Sequence, residues 1–154
     1  MDLPTHFISC DWGTTNFRLR VVATDSLTVL PEHSTGLGVR GLNERFNEAE
    51  TTDRLAFFAG YLRTQLVELP AAHQGHPIVV SGMASANIGM RDLPYGGLPI
   101  EEEAASFIFE DISPWPNQCL RLISGVKSDT GMMRGEETQA LGLLETMQGF
   151  EDGV

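Results

Sequence analysis

The chain has little cysteine, little positive charge and no long apolar run. Its two cysteines, Cys10 and Cys119, cannot build a disulfide framework, and each lies in a strand-like run that predicts a reduced, buried thiol. His73 and His76 flank a polar Gln-Gly pair, which indicates a solvated turn rather than a metal site. No stretch approaches the roughly eighteen apolar residues of a membrane span, and no secretory signal is recognisable. We therefore expect a cytoplasmic protein that makes no membrane contact.

Positive charge is scarce, with 10 Lys and Arg residues against 21 Asp and Glu residues, a net charge of −11. Such a chain repels phosphate backbones, which argues against non-specific binding of nucleic acid. An anionic small substrate remains allowed where local cations and backbone amides outweigh the overall field.

At 154 residues the chain suits one domain that buries roughly 70% of its unfolded surface. Short β-prone runs at 6–12, 17–24 and, more weakly, 27–34 predict an antiparallel meander. Two later apolar runs, 77–81 and 119–124, are typical of strands in a parallel sheet.

Helical periodicity begins after the meander. Apolar residues recur at three- and four-residue spacing and predict a helix that Thr51 or Thr52 caps and Pro70 stops. Three further segments are assigned from composition: irregular chain at 83–100, a short helix at 101–110 and a helix at 134–147.

The order of these elements is that of a ribonuclease-H-like α/β domain, in which three antiparallel strands precede parallel strands with crossover helices. Open α/β sheets bind ligands at the carboxyl ends of their strands. Asp11, Ser81 and Ser124 stand at such ends, so we expect the active-site groups there.

The loop between the first two strands, Asp-Trp-Gly-Thr-Thr-Asn-Phe-Arg at 11–18, is suited to phosphate. Gly13 lets the backbone approach an anion, Thr14 and Thr15 can donate to phosphate oxygens, and Asp11 can hold a hydrated Mg²⁺ ion. The residues alone equally allow an ordinary glycine-containing hairpin in which Asp11 caps its own turn.

Three further blocks stand out: GVRGLN at 38–43, SGMASANIG at 81–89 and KSDTGMMRGEETQ at 127–139. Together with the hairpin they closely resemble the sequence blocks of 2-dehydro-3-deoxygalactonokinases, which are sugar-acid kinases of the actin, Hsp70 and hexokinase superfold. The similarity covers nearly the whole chain, and the run at 133–139 is highly characteristic of that family.

The resemblance implies phosphorylation of the 6-hydroxyl of 2-dehydro-3-deoxy-D-galactonate in galactonate catabolism, with ATP and Mg²⁺, and it allows a homodimer. It also implies that residues 1–154 form a single ribonuclease-H-like lobe, the first lobe of an actin-like ATPase fold. The second lobe, with the adenosine pocket, is then absent from this chain, which we expect to have little activity alone.

The nucleotide site implied by the resemblance consists of Asp11, Gly13, Thr14, Thr15, Asn16 and Arg18. Asp11 would be the Mg²⁺ residue. Arg18 is either an oxyanion clamp or a strand residue that faces solvent.

The sugar-acid site implied by the resemblance consists of Arg40, Asn43, Ser81, Gly82, Met83, Ser85 and Asn87. Arg40 and Asn43 are expected in a loop, where a capped turn is the structural alternative. For the later residues the alternative is a glycine-rich crossover loop whose side chains satisfy local backbone.

The catalytic base must be a carboxylate within reach of the accepting hydroxyl. Asp129, Glu136 and Glu137 compete, and a helix-starting acid is often a cap. We assign Asp129 as the base and Glu136 as a metal or substrate contact, while Arg134 either neutralises phosphate charge or pairs with Glu137.

Other functions fit the same pattern. A two-metal nuclease of this fold is disfavoured by the acidic composition. A phosphohydrolase would leave the blocks around Arg40 and Asn87 without a purpose, and a non-catalytic binding module remains open.

Overall fold

The computed structural model describes residues 3–97, 108–128 and 131–133. Their strands form two sheets. The strands are β1 (His6–Trp12), β2 (Phe17–Ala23), β3 (Val29–Thr35), β4 (Ile78–Gly82), β5 (Gly96–Gly97), β6 (Phe109–Ile112), β7 (Leu120–Ile123), β8 (Val126–Ser128) and β9 (Gly131–Met133). The larger sheet has the order β3-β2-β1-β4-β7-β6, and the smaller has the order β5-β8-β9.

The first three strands form the predicted meander. β1 pairs antiparallel with β2 from His6 opposite Ala23 to Trp12 opposite Phe17, and β3 continues the antiparallel pairing on the other side of β2. Alternating apolar residues drive this arrangement, since every second side chain reaches the core. The prediction of a tight antiparallel hairpin at 12–17 is confirmed.

The later strands change the sheet from antiparallel to mixed. β4 lies parallel to β1, and β7 lies parallel to β4. The carboxyl ends of β1, β4 and β7 therefore meet at one edge of the sheet. β6 pairs antiparallel with β7, so the predicted short helix is wrong at Phe109 and Glu110, while 101–107 lie outside the described residues. Pairing along β7 overrode the local helical preference there.

One face of the large sheet carries the core. Two helices, α1 (Val39–Glu48) and α2 (Arg54–Leu66), contribute buried residues to the same apolar cluster as β1, β2, β4 and β7. Its largest fully buried side chains include Trp12, Phe17 and Phe58. Cys10 is buried as expected, but Cys119 is exposed because it lies just before β7; both thiols are free.

Helix α1 was not predicted. A loop was expected after Gly38, yet Val39 and Leu42 bury one face of a helix against the sheet. Arg40 and Asn43 are therefore helical residues, which corrects their expected loop placement. Tertiary burial outweighed the cost of roughly 1 kcal/mol for a glycine inside a helix.

Helix α2 was predicted, with its start slightly displaced. Asp53 is the N-cap, and its side chain accepts a hydrogen bond from the amide of Ala56 at 3.0 Å, so neither Thr51 nor Thr52 has that role. The helix ends at Leu66, before Pro70. Among the described residues no helix is long and apolar enough to span a membrane.

The smaller sheet occupies part of the segment that was expected to be a loop before the last predicted helix. β8 and β9 pair antiparallel, with Val126 opposite Met133. Residues 129 and 130, between these strands, lie outside the described residues.

Candidate functional site

The loop of the β1–β2 hairpin is held from both sides. Within the loop, the amide of Gly13 donates to the carbonyl of Asn16 at 2.8 Å. The carbonyls of Gly13 and Thr14 in turn accept from the amides of Val39 and Arg40 at 2.9 and 3.1 Å. These two amides belong to the first turn of α1. Because they already donate hydrogen bonds to the loop, they are not available to an external anion.

Gly38 permits this contact. A Cβ atom at this position would lie 2.4 Å from the carbonyl oxygen of Thr14 and 2.5 Å from the amide nitrogen of Thr15. Any larger residue would push the start of α1 away from the loop. The peptide carbonyls of Gly13 and Thr14 face α1, and no described residue accepts a hydrogen bond from the amides of Thr14 and Thr15.

Asp11 stands at the carboxyl end of β1, opposite Arg18 on β2 and Ser81 on β4. Directly paired residues project to the same side of a sheet, so these three side chains share the face opposite the core. No hydrogen bond or ion pair to another described residue engages the carboxylate of Asp11. Burial first, and the charge of Asp11 second, raise the pKa of Cys10 well above its ordinary value, so this thiol stays uncharged.

A pocket of about 210 Å³ lies between the hairpin loop and α1. Its lining residues are Thr14, Thr15, Gly36, Leu37, Gly38, Arg40, Gly41 and Glu44. The exposed guanidinium of Arg40 makes no ion pair with another described residue. Two hydroxyls and a guanidinium can bind an oxyanion. A larger pocket of about 440 Å³ lies around His6 and Asp25, and no predicted site residue lines it.

At the end of β4, the backbone conformation and the nearby chain require glycine at position 82. Its φ is +99°, and a Cβ atom there would lie 2.6 Å from the carbonyl oxygen of Trp12, so the backbone itself requires glycine. Ser85 is fully buried, and its carbonyl accepts from the amide of Leu93 at 3.0 Å, whereas Asn87 is exposed. Of this pair, only Asn87 faces solvent in the structure.

Asn43 lies on α1, and its carboxamide oxygen accepts a hydrogen bond from Arg54 at 2.8 Å. Its side-chain amide nitrogen makes no hydrogen bond to another described residue and is available to a ligand. Sequence reasoning missed Arg54, because a single arginine at the start of a helix carries no recognisable signal. Met83 is half-buried and packs against the core.

The structure thus gathers two groups of predicted residues: Asp11, Arg18 and Ser81 on the face of the sheet opposite the core, and Thr14, Thr15 and Arg40 in the pocket between the hairpin loop and α1. Asp129, Arg134 and Glu136 lie outside the described residues. No three potential metal ligands converge within the described part of the chain. A single carboxylate such as that of Asp11 is compatible with Mg²⁺, which often binds one or two carboxylates together with water and phosphate oxygens.

A family model described as 2-keto-3-deoxy-galactonokinase matches residues 11–154, which includes the hairpin, the pocket and the loop after β4. The chain belongs to this galactonokinase family. A probable 2-dehydro-3-deoxygalactonokinase of Rhizobium meliloti (strain 1021) is 30% identical over 145 residues, covering 89% of this chain. The 2-dehydro-3-deoxygalactonokinase of Escherichia coli (strain K12) is 26% identical over 145 residues, covering 91% of it.

A solved structure is also similar to this galactonokinase-family chain. It is the crystal structure of a Sinorhizobium meliloti protein assigned as a 2-dehydro-3-deoxygalactonokinase, with a TM-score of 0.65 and 26% identity over 92% of this chain. The chain spans 42% and 43% of the lengths of the two curated relatives, and 43% of the solved chain.

Proposed function

We propose that this chain is the first, ribonuclease-H-like lobe of a cytoplasmic sugar-acid kinase with an actin-like ATPase fold. The reaction is ATP-dependent phosphorylation of the 6-hydroxyl of 2-dehydro-3-deoxy-D-galactonate, a step in galactonate catabolism. Family membership supports the kinase class, and a second lobe would supply the adenosine pocket.

The observation that carries the proposal is the fixed hairpin loop. Hydrogen bonds from α1 to the carbonyls of Gly13 and Thr14 immobilise the loop, so that its two threonines and Arg40 line the same pocket. Phosphoryl transfer depends chiefly on positioning and on neutralising charge, and a preformed loop provides positioning without reorganisation.

On the nucleotide side, Asp11 would hold a hydrated Mg²⁺ ion, which would neutralise phosphate charge, and Thr14 and Thr15 donate to the terminal phosphate oxygens. Asn16 supports the loop, since its side-chain Nδ2 atom donates to the hydroxyl of Thr15 at 3.3 Å. Arg18 lies opposite Asp11 on the neighbouring strand β2, and it neutralises phosphate charge on the face of the sheet opposite the core.

On the acceptor side, Arg40 pairs with the sugar-acid carboxylate, while Ser81, Asn87 and the amide nitrogen of Asn43 bind its hydroxyls. Gly82, Met83 and Ser85 shape this region through the backbone.

The 6-hydroxyl oxygen forms a bond to the γ-phosphorus, and the bond from that phosphorus to the bridging oxygen of ADP breaks. The hydroxyl proton passes to Asp129, Arg134 neutralises the charge of the transferring phosphoryl group, and Glu136 would contact the metal or the substrate.

The test uses the complete product of the gene that carries this chain. Asp11→Asn is expected to lower kcat about 100-fold or more while the KM for the sugar acid changes less than about threefold, because the carboxylate serves metal and transition-state charge. Asp25→Asn is the matched control, since Asp25 lies beyond the far end of β2 and lines the distant pocket.

Wild-type turnover in Asp11→Asn would remove Asp11 from the mechanism. Tight binding of the sugar acid without ATP-dependent turnover by the wild-type product would instead favour a binding module. Phosphate release from ATP without a phosphorylated sugar acid would favour a phosphohydrolase.

A further inference from the structure

Arg54, the first residue of α2, connects three parts of the fold. Its Nη1 atom donates to the carboxamide oxygen of Asn43 at 2.8 Å, to the carbonyl of Ile88 at 3.1 Å and to the carbonyl of Gly89 at 3.3 Å. Its guanidinium carbon also lies 4.4 Å from the ring centroid of Phe46 on α1. One side chain therefore fastens the loop after β4 to both helices.

The loop that Arg54 holds is compact. The amide of Gly89 donates to the carbonyl of Ala86 at 2.8 Å, and the amide of Arg91 donates to the carbonyl of Ala84 at 3.3 Å. A Cβ atom at Gly89 would lie 2.3 Å from the carbonyl oxygen of Ala84, so the turn leaves no space for a side chain there. A displacement of Ile88 and Gly89 would therefore carry the preceding Asn87 with it.

We infer that Arg54 is a positioning residue for sugar-acid recognition. Its hydrogen bonds to the carbonyls of Ile88 and Gly89 fix the position of Asn87 relative to α1. The inference rests on the proposed function for the role of Asn87. Lysine cannot replace Arg54, since a compact ammonium lacks the planar group that stacks on Phe46 while it donates to several acceptors.

The experiment compares Arg54→Lys and Arg54→Met with Arg63→Met in the complete gene product. Arg63 lies on the same helix and also covers an aromatic ring, with its guanidinium carbon 5.3 Å from the centroid of Trp115, but no hydrogen bond or ring contact joins it to the described residues of the loop. Backbone hydrogen exchange of 83–93 and steady-state kinetics with each substrate are measured.

We expect both Arg54 variants to raise the exchange rates of the Gly89 and Arg91 amides about tenfold. The KM for the sugar acid should rise about tenfold, with the KM for ATP and kcat within about twofold of wild type. Arg63→Met should leave all of these values near wild type. A general loss of folding would instead lower kcat and leave both KM values unchanged.

Wild-type exchange in Arg54→Lys and Arg54→Met, or a parallel rise of both KM values, would overturn the positioning role. If Arg54→Met does not fold, Arg54→Lys decides alone, since it keeps the charge. A wild-type product that fails to phosphorylate the sugar acid refutes the proposed function, whereas exchange in the loop still decides whether Arg54 holds it.

Discussion

At the scale of single residues, close approach between backbones fixes the candidate site. Gly38 touches the hairpin loop, and its replacement would separate the loop from α1. The tight turn that carries Asp11, Thr14 and Thr15 was predictable from Gly13 and the strand-like runs on either side, while the phosphate-binding role of these three residues stays a prediction. The burial of Ser85 and the bond from Arg54 to Asn43 were not predictable, since both depend on residues distant in sequence.

Gly38→Ala is expected to lower the free energy of unfolding by about 1–3 kcal/mol, because the new methyl group overlaps the Thr14 carbonyl. Gly60→Ala is the matched control, since a Cβ there meets nothing within 4 Å and alanine favours the interior of α2. We expect this control to raise the free energy of unfolding by about 0.5–1 kcal/mol. Urea denaturation measures both, and equal effects of the two substitutions would contradict the close contact at Gly38.

At the scale of elements, strands were easier to predict than helices. Continuous or alternating apolar runs in the sequence correspond to β1, β2, β4 and β7. The apolar residues of these runs are the ones that the strands bury in the structure. α1 was missed because its glycines resemble a turn, and β6 was missed because its pairing partner supplies its stability. Arg121 on β7 illustrates that partnership, since it binds Asp111 on β6 at 2.8 Å.

The N-terminus of α2 provides a test at this scale. Asp53→Ala should lower the free energy of unfolding by about 1 kcal/mol, because it removes the oxygen that accepts from the amide of Ala56. Thr52→Ala should change it by less than about 0.5 kcal/mol, since Thr52 caps no described helix. Thermal and urea denaturation compare the two; a larger effect of Thr52→Ala would restore the cap expected from sequence.

At the scale of the whole molecule, a histidine cluster formed by His6, His73 and His76 joins the start of β1 to the segment before β4. Ring centroids are 5.1–5.4 Å apart, and Nδ1 of His73 lies 3.0 Å from Nε2 of His76. The turn predicted between His73 and His76 is present at Gln74 and Gly75, but the three histidine side chains are half-buried rather than fully solvated. The parallel pairing of β1 with β4 brings them together.

This cluster predicts a pH dependence of stability. Burial first, and then the charges of His6 and His73, lower the pKa of His76 from its ordinary value of 6.5. As the pH falls below that value the unfolded chain binds more protons than the folded chain, so the contribution of His76 is present above pH 6.5 and is lost toward its lowered folded pKa.

We expect the free energy of unfolding to be higher at about pH 8 than at about pH 5.5, and His76→Gln to reduce this difference. His33→Gln is the control, because His33 lies outside the cluster and contacts Gln65 at 2.8 Å. Urea denaturation at both pH values gives the comparison. An unchanged pH dependence in His76→Gln would remove the cluster as its source.

The sequence by itself determined the apolar periods, the antiparallel hairpin and the residue types of the hairpin loop, because these depend on neighbours a few positions apart. It also carried the blocks by which the chain matches its family over residues 11–154. Only the tertiary structure decided that α1 holds the hairpin loop, that Arg54 holds the loop after β4 and that three histidines meet. Those contacts join segments distant in sequence, and their energies exist only once the sheet has brought the segments together.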